Sequence, residues 1–350
     1  MNKKREKIGI VYHPDYLLHT RSDHPERMER LEKIIDLLEE KKVLEWIEMI
    51  EPEPAKIEEV ALIHDSEYIR SIDKACRSGQ NYLDMDTYIV PESYRVALLS
   101  VGGALAALQG ALSSKPRRVF ALNRPPGHHA ERNRAMGFCL FNNVAIATAV
   151  ARNAYGLNKI AIVDWDVHHG NGTQHSFENN PDVLYISIHQ SPAYPGTGDM
   201  YEVGLGPGKG YTINIPLPPG SGDPEYLMFF NQLIIPVLDQ FEPELIIVSA
   251  GQDIYSKDPL AGMLVTHSGF YRMTETLVDL SERYCGGKLM LCLEGGYHLD
   301  GQAGAVLQVL NALGQWEMEI SEESEEREPG DDVQQMLRKI LHLQNKYWDL

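Results

Sequence analysis

The chain has 350 residues, 43% of them hydrophobic, and carries 50 acidic against 32 basic residues for a net charge of -18. That size can bury the core of one large α/β domain. The negative charge argues against wrapping nucleic-acid phosphate and favours cationic ligands such as lysine-rich peptides or polyamines, beside its ordinary use in solubility. Four cysteines (Cys76, Cys139, Cys285, Cys292) without a Cys-x-x-Cys pair indicate neither a disulfide framework nor a thiolate zinc knuckle. No apolar run reads as membrane-spanning and the basic start at Met1–Lys7 lacks a signal-peptide core, so a cytoplasmic location is expected.

The first strand, Ile8–Tyr12, leads through His13, His19 and His24, which read as loop or capping residues. A helix is expected from near Pro25, capped by Ser22 or Asp23, with Met28, Leu31, Ile34, Ile35 and Leu38 as its apolar face. Short helices follow over Ile57–Ile63 and Tyr68–Ala75. A surface loop spans Tyr82–Tyr88, and a long Ala/Leu/Gly-rich helix runs from Pro91 to about Leu112, where Gly102-Gly103 implies close packing.

Beyond it the pattern alternates strand, loop and helix. The apolar runs 118–122, 160–163, 183–188, 245–249 and 289–293 end in Arg124 to Ala130, in Asp164 to Thr173, in His189-Gln190, in Gln252-Asp253 and in Glu294 to Tyr297. Continuous apolar strands separated by helices predict a mainly parallel sheet covered on both faces, with ligands at the carboxyl ends of the strands. The chain is read as an α/β domain over 1–316, an acidic loop over 317–332 and an amphipathic C-terminal helix over 333–350, docked on the core.

Polar residues thus collect on one rim. Asp166 and His168 are two apart, so an extended chain projects both to the same side. A carboxylate with an imidazole suits zinc, and also iron or manganese, and Asp253 is the natural third ligand. His128 and His129 can supply a base, with Asp164 and Asn171 as the groups behind their rings, and Tyr297 can donate a hydroxyl to a developing oxyanion.

Together the motifs Arg124-Pro125-Pro126-Gly127-His128-His129-Ala130, Gly137 to Asn143, Asp164 to Thr173, Pro195-Gly196-Thr197-Gly198, Ser249 to Asp253, Asp258-Pro259-Leu260 and Leu293 to Tyr297 make a specific set. The chain resembles the zinc-dependent histone deacetylase family, or arginase/deacetylase superfamily, and within it the class II and bacterial amidohydrolase branch. The resemblance runs from about His13 to Leu313. It implies one Zn2+ per chain, with Fe2+ an alternative, on Asp166, His168 and Asp253. It implies His129 as general base and then acid, His128 as its electrostatic partner, and Tyr297 as the carbonyl-polarising hydroxyl. Gly137, Phe138 and Tyr194 would line an acyl-lysine tunnel, Leu260 its mouth, and Asp86 a rim carboxylate gripping substrate backbone. Asp164 and Ser187, with carbonyls of Asp166, His168 and Ile188, would form a K+ site. Tyr194 and Gln252 stand where relatives commonly carry phenylalanine, and Tyr255-Ser256-Lys257 is unusual beside the mouth.

The expected reaction is hydrolysis of an acetyl amide, on an acetylated lysine peptide or an acetylated polyamine or other small amine, releasing acetate. A binuclear manganese ureohydrolase and a non-catalytic acetyl-amine binding module are the rival readings. No membrane partner is expected, and the oligomeric state is not readable.

Overall fold

A computed structural model of the protein describes residues 7–113, 115–320 and 327–350. The six expected strands form, and two more join them. In chain order they are β1 (Ile8–Val11), β2 (Ile47–Ile50), β3 (Arg118–Ala121), β4 (Ile160–Asp164), β5 (Val183–Gln190), β6 (Thr212–Leu217), β7 (Leu245–Ala250) and β8 (Leu289–Leu293). They make one sheet in the order β2-β1-β3-β8-β7-β4-β5-β6, and every pairing in it is parallel. Both strands that the sequence pattern left unnoticed, β2 and β6, are edge strands. Pro216 in β6 is tolerated there because an edge need not donate every N–H.

Side chains alternate across the sheet, and two buried clusters result. Phe120, Ala161 and Val163 belong to one; Val119, Ala121, Ile160 and Ile162 belong to the other. Helices Glu29–Glu40, His267–Cys285 and Leu299–Gly314 contribute to the first cluster, and helices Ser66–Arg77, Ser93–Leu112 and Asn143–Tyr155 to the second. Burying one Leu, Ile or Val side chain stabilises by about 1.5–3 kcal/mol. The two-faced cover is what lets near-continuous apolar strands exist.

Helix Ser93–Leu112 corrects one expectation, since by length and hydropathy it could cross a membrane. Of that stretch, 67% is buried within the fold, where it packs on β1, β3 and helix Asn143–Tyr155 as a core helix. A side chain at Gly102 would meet the Glu53 carbonyl, which accounts for the small residue there.

The first long helix starts at Glu29, not near Pro25, and neither Ser22 nor Asp23 caps it. Thr20 Oγ1 accepts the Met28 N–H at 3.0 Å, while Asp23 pairs with Arg21. The cause lies far away in the chain. Glu26 is drawn into the core by Arg124, whose Nε and Nη2 donate to its two oxygens at 2.7 and 2.8 Å, and Arg30 donates to it at 3.0 Å. Burial alone would raise this carboxyl, but the two guanidinium groups overcome it and pull its pKa down to about 2.

Glu26→Gln should cost about 3–5 kcal/mol at pH 7, because it leaves buried guanidinium charge uncompensated. The folded-state pKa is depressed, so the ionic contribution is complete above the ordinary carboxylate value of 4.5 and is lost as pH falls toward about 2. Denaturant unfolding of both proteins should show their difference shrinking once pH drops below that ordinary value. A constant difference down to pH 3 would contradict the ionic account.

Of the acidic stretch 317–332, residues 321–326, with Glu322, Glu323, Glu325 and Glu326, lie outside the described residues, as do residues 1–6. The terminal helix spans Asp331–Gln344 and buries Val333, Leu337 and Ile340. Trp348 beyond it donates its Nε1–H to the Gly210 carbonyl at 2.9 Å.

Candidate active site

Because the strands are parallel and level, the residues that follow β3, β4, β7 and β8 emerge on one edge. Asp164 lies opposite Ser249, and Ser249 opposite Cys292, across three adjacent strands. The loop after β4 carries Asp166 and His168, and the loop after β7 carries Asp253. Their ligand atoms all lie within 4.8 Å of one another, the one such His/Cys/Asp/Glu cluster among the described residues. His168 Nδ1 is 3.2 Å from Asp166 Oδ1 and 3.3 Å from Asp253 Oδ2.

The same carboxylates also fasten the loops. Asp166 accepts the N–H of His168 at 2.9 Å and of Gly295 at 2.8 Å, and Asp253 Oδ1 accepts the Val167 N–H at 2.9 Å. Burial first, then the nearby Asp166, holds the Asp253 carboxyl above its usual range. Two buried carboxylates so close need a proton or a positive charge between them.

His128 and His129 stand beside this cluster with ring centroids 4.0 Å apart. His128 Nδ1–H donates to Asp164 Oδ2 at 3.1 Å. Burial opposes its charge, yet Asp166, Asp164 and Glu294 prevail and push its pKa up to about 10. His129 is pushed the other way, by burial and then by the charges of His128 and His168, and is neutral at pH 7.

The tautomer of His129 follows from its neighbours. Asn171 Nδ2 faces the Glu131 carboxylate at 2.5 Å and the His129 carbonyl at 3.2 Å, both acceptors, so Asn171 Oδ1 must face His129 Nδ1, 2.8 Å away. Nδ1 therefore carries the proton and Nε2 keeps a free lone pair. Glu131 also accepts from His175 Nδ1 at 2.8 Å.

A cavity of about 200 Å³ opens onto these groups. His128, His129, Asp166 and His168 line its buried end; Tyr194 and Leu260, 39% and 43% exposed, line its outer end with Asp86. Phe138 and Gly137 form a wall at a turn with φ of +68° and +56°. A Cβ at Gly137 would sit 2.3 Å from His129 Cδ2, so only glycine allows this approach. The Phe138 ring meets Tyr297 edge-on at 5.8 Å, and the Tyr194 ring meets His129 edge-on at 5.1 Å. Burial raises the Tyr297 phenol well above its ordinary value, so it remains a hydroxyl donor.

A model of the histone deacetylase domain family matches residues 24–313. This chain belongs to the histone deacetylase family. It is 44% identical over 296 residues to a probable deacetylase of Archaeoglobus fulgidus, covering 84% of this chain and 82% of that protein. It is 37% identical over 290 residues to a histone deacetylase-like amidohydrolase of Pseudomonas aeruginosa, covering 83% and 75%. The crystal structure of the HDA15 HD domain superposes with a TM-score of 0.90 at 36% identity, covering 98% of this chain and 96% of that one. As a histone deacetylase family member the chain is a deacetylase or amidohydrolase, and the family implies a zinc-type metal site.

The Asp166, His168 and Asp253 cluster of this deacetylase fits such an ion on structural grounds. Asp253 Oδ2 is buried and, apart from His168 Nδ1 facing it at 3.3 Å, has no polar partner. Side chains at Gly251 and Gly295 would come within 2.2 Å of Asp166 Oδ2 and 2.1 Å of Asp253 Oδ2, so both glycines keep the ligand oxygens clear. Two carboxylate oxygens and one imidazole nitrogen are a donor set that zinc accepts.

Of the other expected residues of this deacetylase, Asp164 and Ser187 are register partners on β4 and β5, with Ile188 next in β5. Asp164 accepts from Tyr185 and His128, and Ser187 Oγ is 2.9 Å from His189 Nδ1. Burial and the neighbouring Asp84 raise the Asp86 carboxyl. Sequence reasoning overlooked Glu294, Glu131 and Arg30. Glu294 Oε2 accepts the N–H groups of Gly127 and His128 at 2.6 and 3.1 Å, and thereby places the histidine pair. Its position at the end of an apolar strand was the available signal. For Glu131, and for the bonds of Arg30 to the distant Glu294 and Gly296 carbonyls, there was none.

Proposed function

We propose that this deacetylase hydrolyses acetyl amides at the end of a slim alkyl chain, on acetylated lysine or an acetylated small amine, with zinc held by Asp166, His168 and Asp253. The single observation that carries this reading is the cavity itself, whose lining brings a neutral imidazole, a phenol, two aromatic rings and the Asp166 and His168 of the Asp-His-Asp cluster together. A cation on those ligands supplies Lewis-acid polarisation of a carbonyl and of water.

The protein's own residues do the rest. Phe138 and Tyr194 pack on the alkyl chain and exclude water from the buried end. His129 Nε2, with its lone pair free, takes a proton from the attacking water as the new C–O bond forms. The Tyr297 hydroxyl donates to the oxygen that gains charge on the acyl carbon. His129 then passes its proton to the amine nitrogen as the C–N bond breaks, leaving acetate and a primary amine. His128, charged and braced by Asp164, keeps the resting His129 unprotonated. Asp164 and Ser187, with carbonyls of Asp166, His168 and Ile188, would hold K+ and brace the loop that carries the ligands.

The test is acetate release by zinc-loaded protein, in parallel on an acetyl-lysine peptide and an acetylpolyamine. Turnover on either supports the chemistry, and the ratio of the two rates assigns the substrate. Zinc-replete protein that leaves both untouched overturns it.

A further inference from the structure

We infer that Asp258 is a positioning residue for the Tyr297 hydroxyl, an inference that rests on the carbonyl-polarising role of Tyr297 proposed above. Asp258 follows β7 on the loop that ends at the cavity mouth, and it is 6% exposed. It touches neither the cavity nor the metal cluster in the way the other site residues do. Its Oδ2 accepts the main-chain N–H of Tyr297 at 2.6 Å and of His298 at 3.1 Å, and its Oδ1 accepts that of Leu260 at 2.9 Å.

The peptide unit between Gly296 and Tyr297 is therefore gripped at both ends. Arg30 Nε donates to its oxygen at 2.7 Å, and Asp258 accepts from its N–H. Arg30 also lies over the Tyr297 ring, 4.9 Å from the centroid. The grip is needed because the preceding backbone is loose by composition: Gly295 and Gly296 are adjacent, and Gly296 has φ of +121°. Without an anchor, two glycines leave the direction of the Tyr297 side chain undetermined.

Only a carboxylate suits three converging N–H groups. It offers two oxygens and no donor, whereas an amide has one oxygen and would turn its NH2 toward a main-chain N–H. Through Leu260, the same carboxylate ties the outer lip of the cavity to the hydroxyl at its inner end.

The experiment compares wild type, Asp258→Asn, Asp258→Ala, Tyr297→Phe and both Asp258 variants combined with Tyr297→Phe, all as zinc-loaded full chain. The readouts are kcat, KM, zinc per chain and the unfolding midpoint; Asp258→Asn, the near-isosteric change, carries the test if the alanine variant does not fold. Asp258→Asn should keep its zinc and KM and lose about 10–100-fold in kcat, the scale of a displacement of about 1 Å. In the Tyr297→Phe background the same change should cost almost nothing, because the group it positions is gone. Wild-type kcat in Asp258→Asn, a loss of rate that tracks loss of zinc, or a full multiplicative loss on top of Tyr297→Phe would each overturn the inference. Those outcomes with a Tyr297-dependent wild type leave the deacetylase chemistry standing. A Tyr297→Phe protein as fast as wild type removes the inference together with the carbonyl-polarising role of Tyr297 on which it rests.

Discussion

Tyr297→Phe should retain zinc and KM and lose about 10²–10³-fold in kcat, the usual effect of removing one oxyanion donor. The phenyl ring would remain edge-on to Phe138 and beneath Arg30, so the cavity wall and its packing survive. What disappears is one O–H, raised by burial so that it stays protonated through the neutral range. A neutral donor in a buried site is worth most where charge develops, so the loss falls on the transition state and not on substrate binding. Steady-state kinetics on an unactivated acetyl amide, with zinc counted per chain, is the measurement. Undiminished turnover removes Tyr297 from the chemistry.

Asp253→Ala should lose metal and activity together. Its two oxygens do different work: Oδ1 holds the Val167 N–H at 2.9 Å, and Oδ2 is buried in the cluster facing His168 Nδ1 at 3.3 Å. Removing both deletes one of three ligands and frees the backbone between the other two. Zinc affinity should fall by well over the about 10–100-fold that follows loss of a group merely hydrogen-bonded to a ligand. Zinc titration by calorimetry, independent of turnover, checks it. Asp253→Asn separates the two roles, since its amide oxygen can keep the Val167 bond while the charge is gone. If Asp253→Ala bound zinc as tightly as wild type, the ion would have to sit elsewhere.

Both outcomes test residues that the linear sequence already marked. The strands from β3 onward were legible, β6 apart, because each is a continuous apolar run bounded by loops, and Asp166 with His168 was legible because a two-residue spacing on extended chain has one geometric meaning. Their convergence with Asp253 was inferable from the parallel sheet, which places every strand end on one edge. The edge strands β2 and β6 were missed for different reasons: β2 buries only Ile47 fully and loses the apolar signature, whereas β6 is largely buried but Thr212, Asn214 and Pro216 interrupt its apolar run.

Other features could not be written in local pattern at all. The helix that Ser22 or Asp23 was expected to cap near Pro25 begins later because Arg124 and Arg30 claim Glu26 for the core. The His129 tautomer depends on Asn171 and Glu131, and the direction of Tyr297 on Asp258 and Arg30. The chain's own order of residues determined the sheet, the edge on which chemistry gathers, and the kinds of ligand available there. Tertiary structure alone decided which polar groups meet, since a buried hydrogen bond or ion pair forms between residues brought together by packing, whatever their distance in sequence.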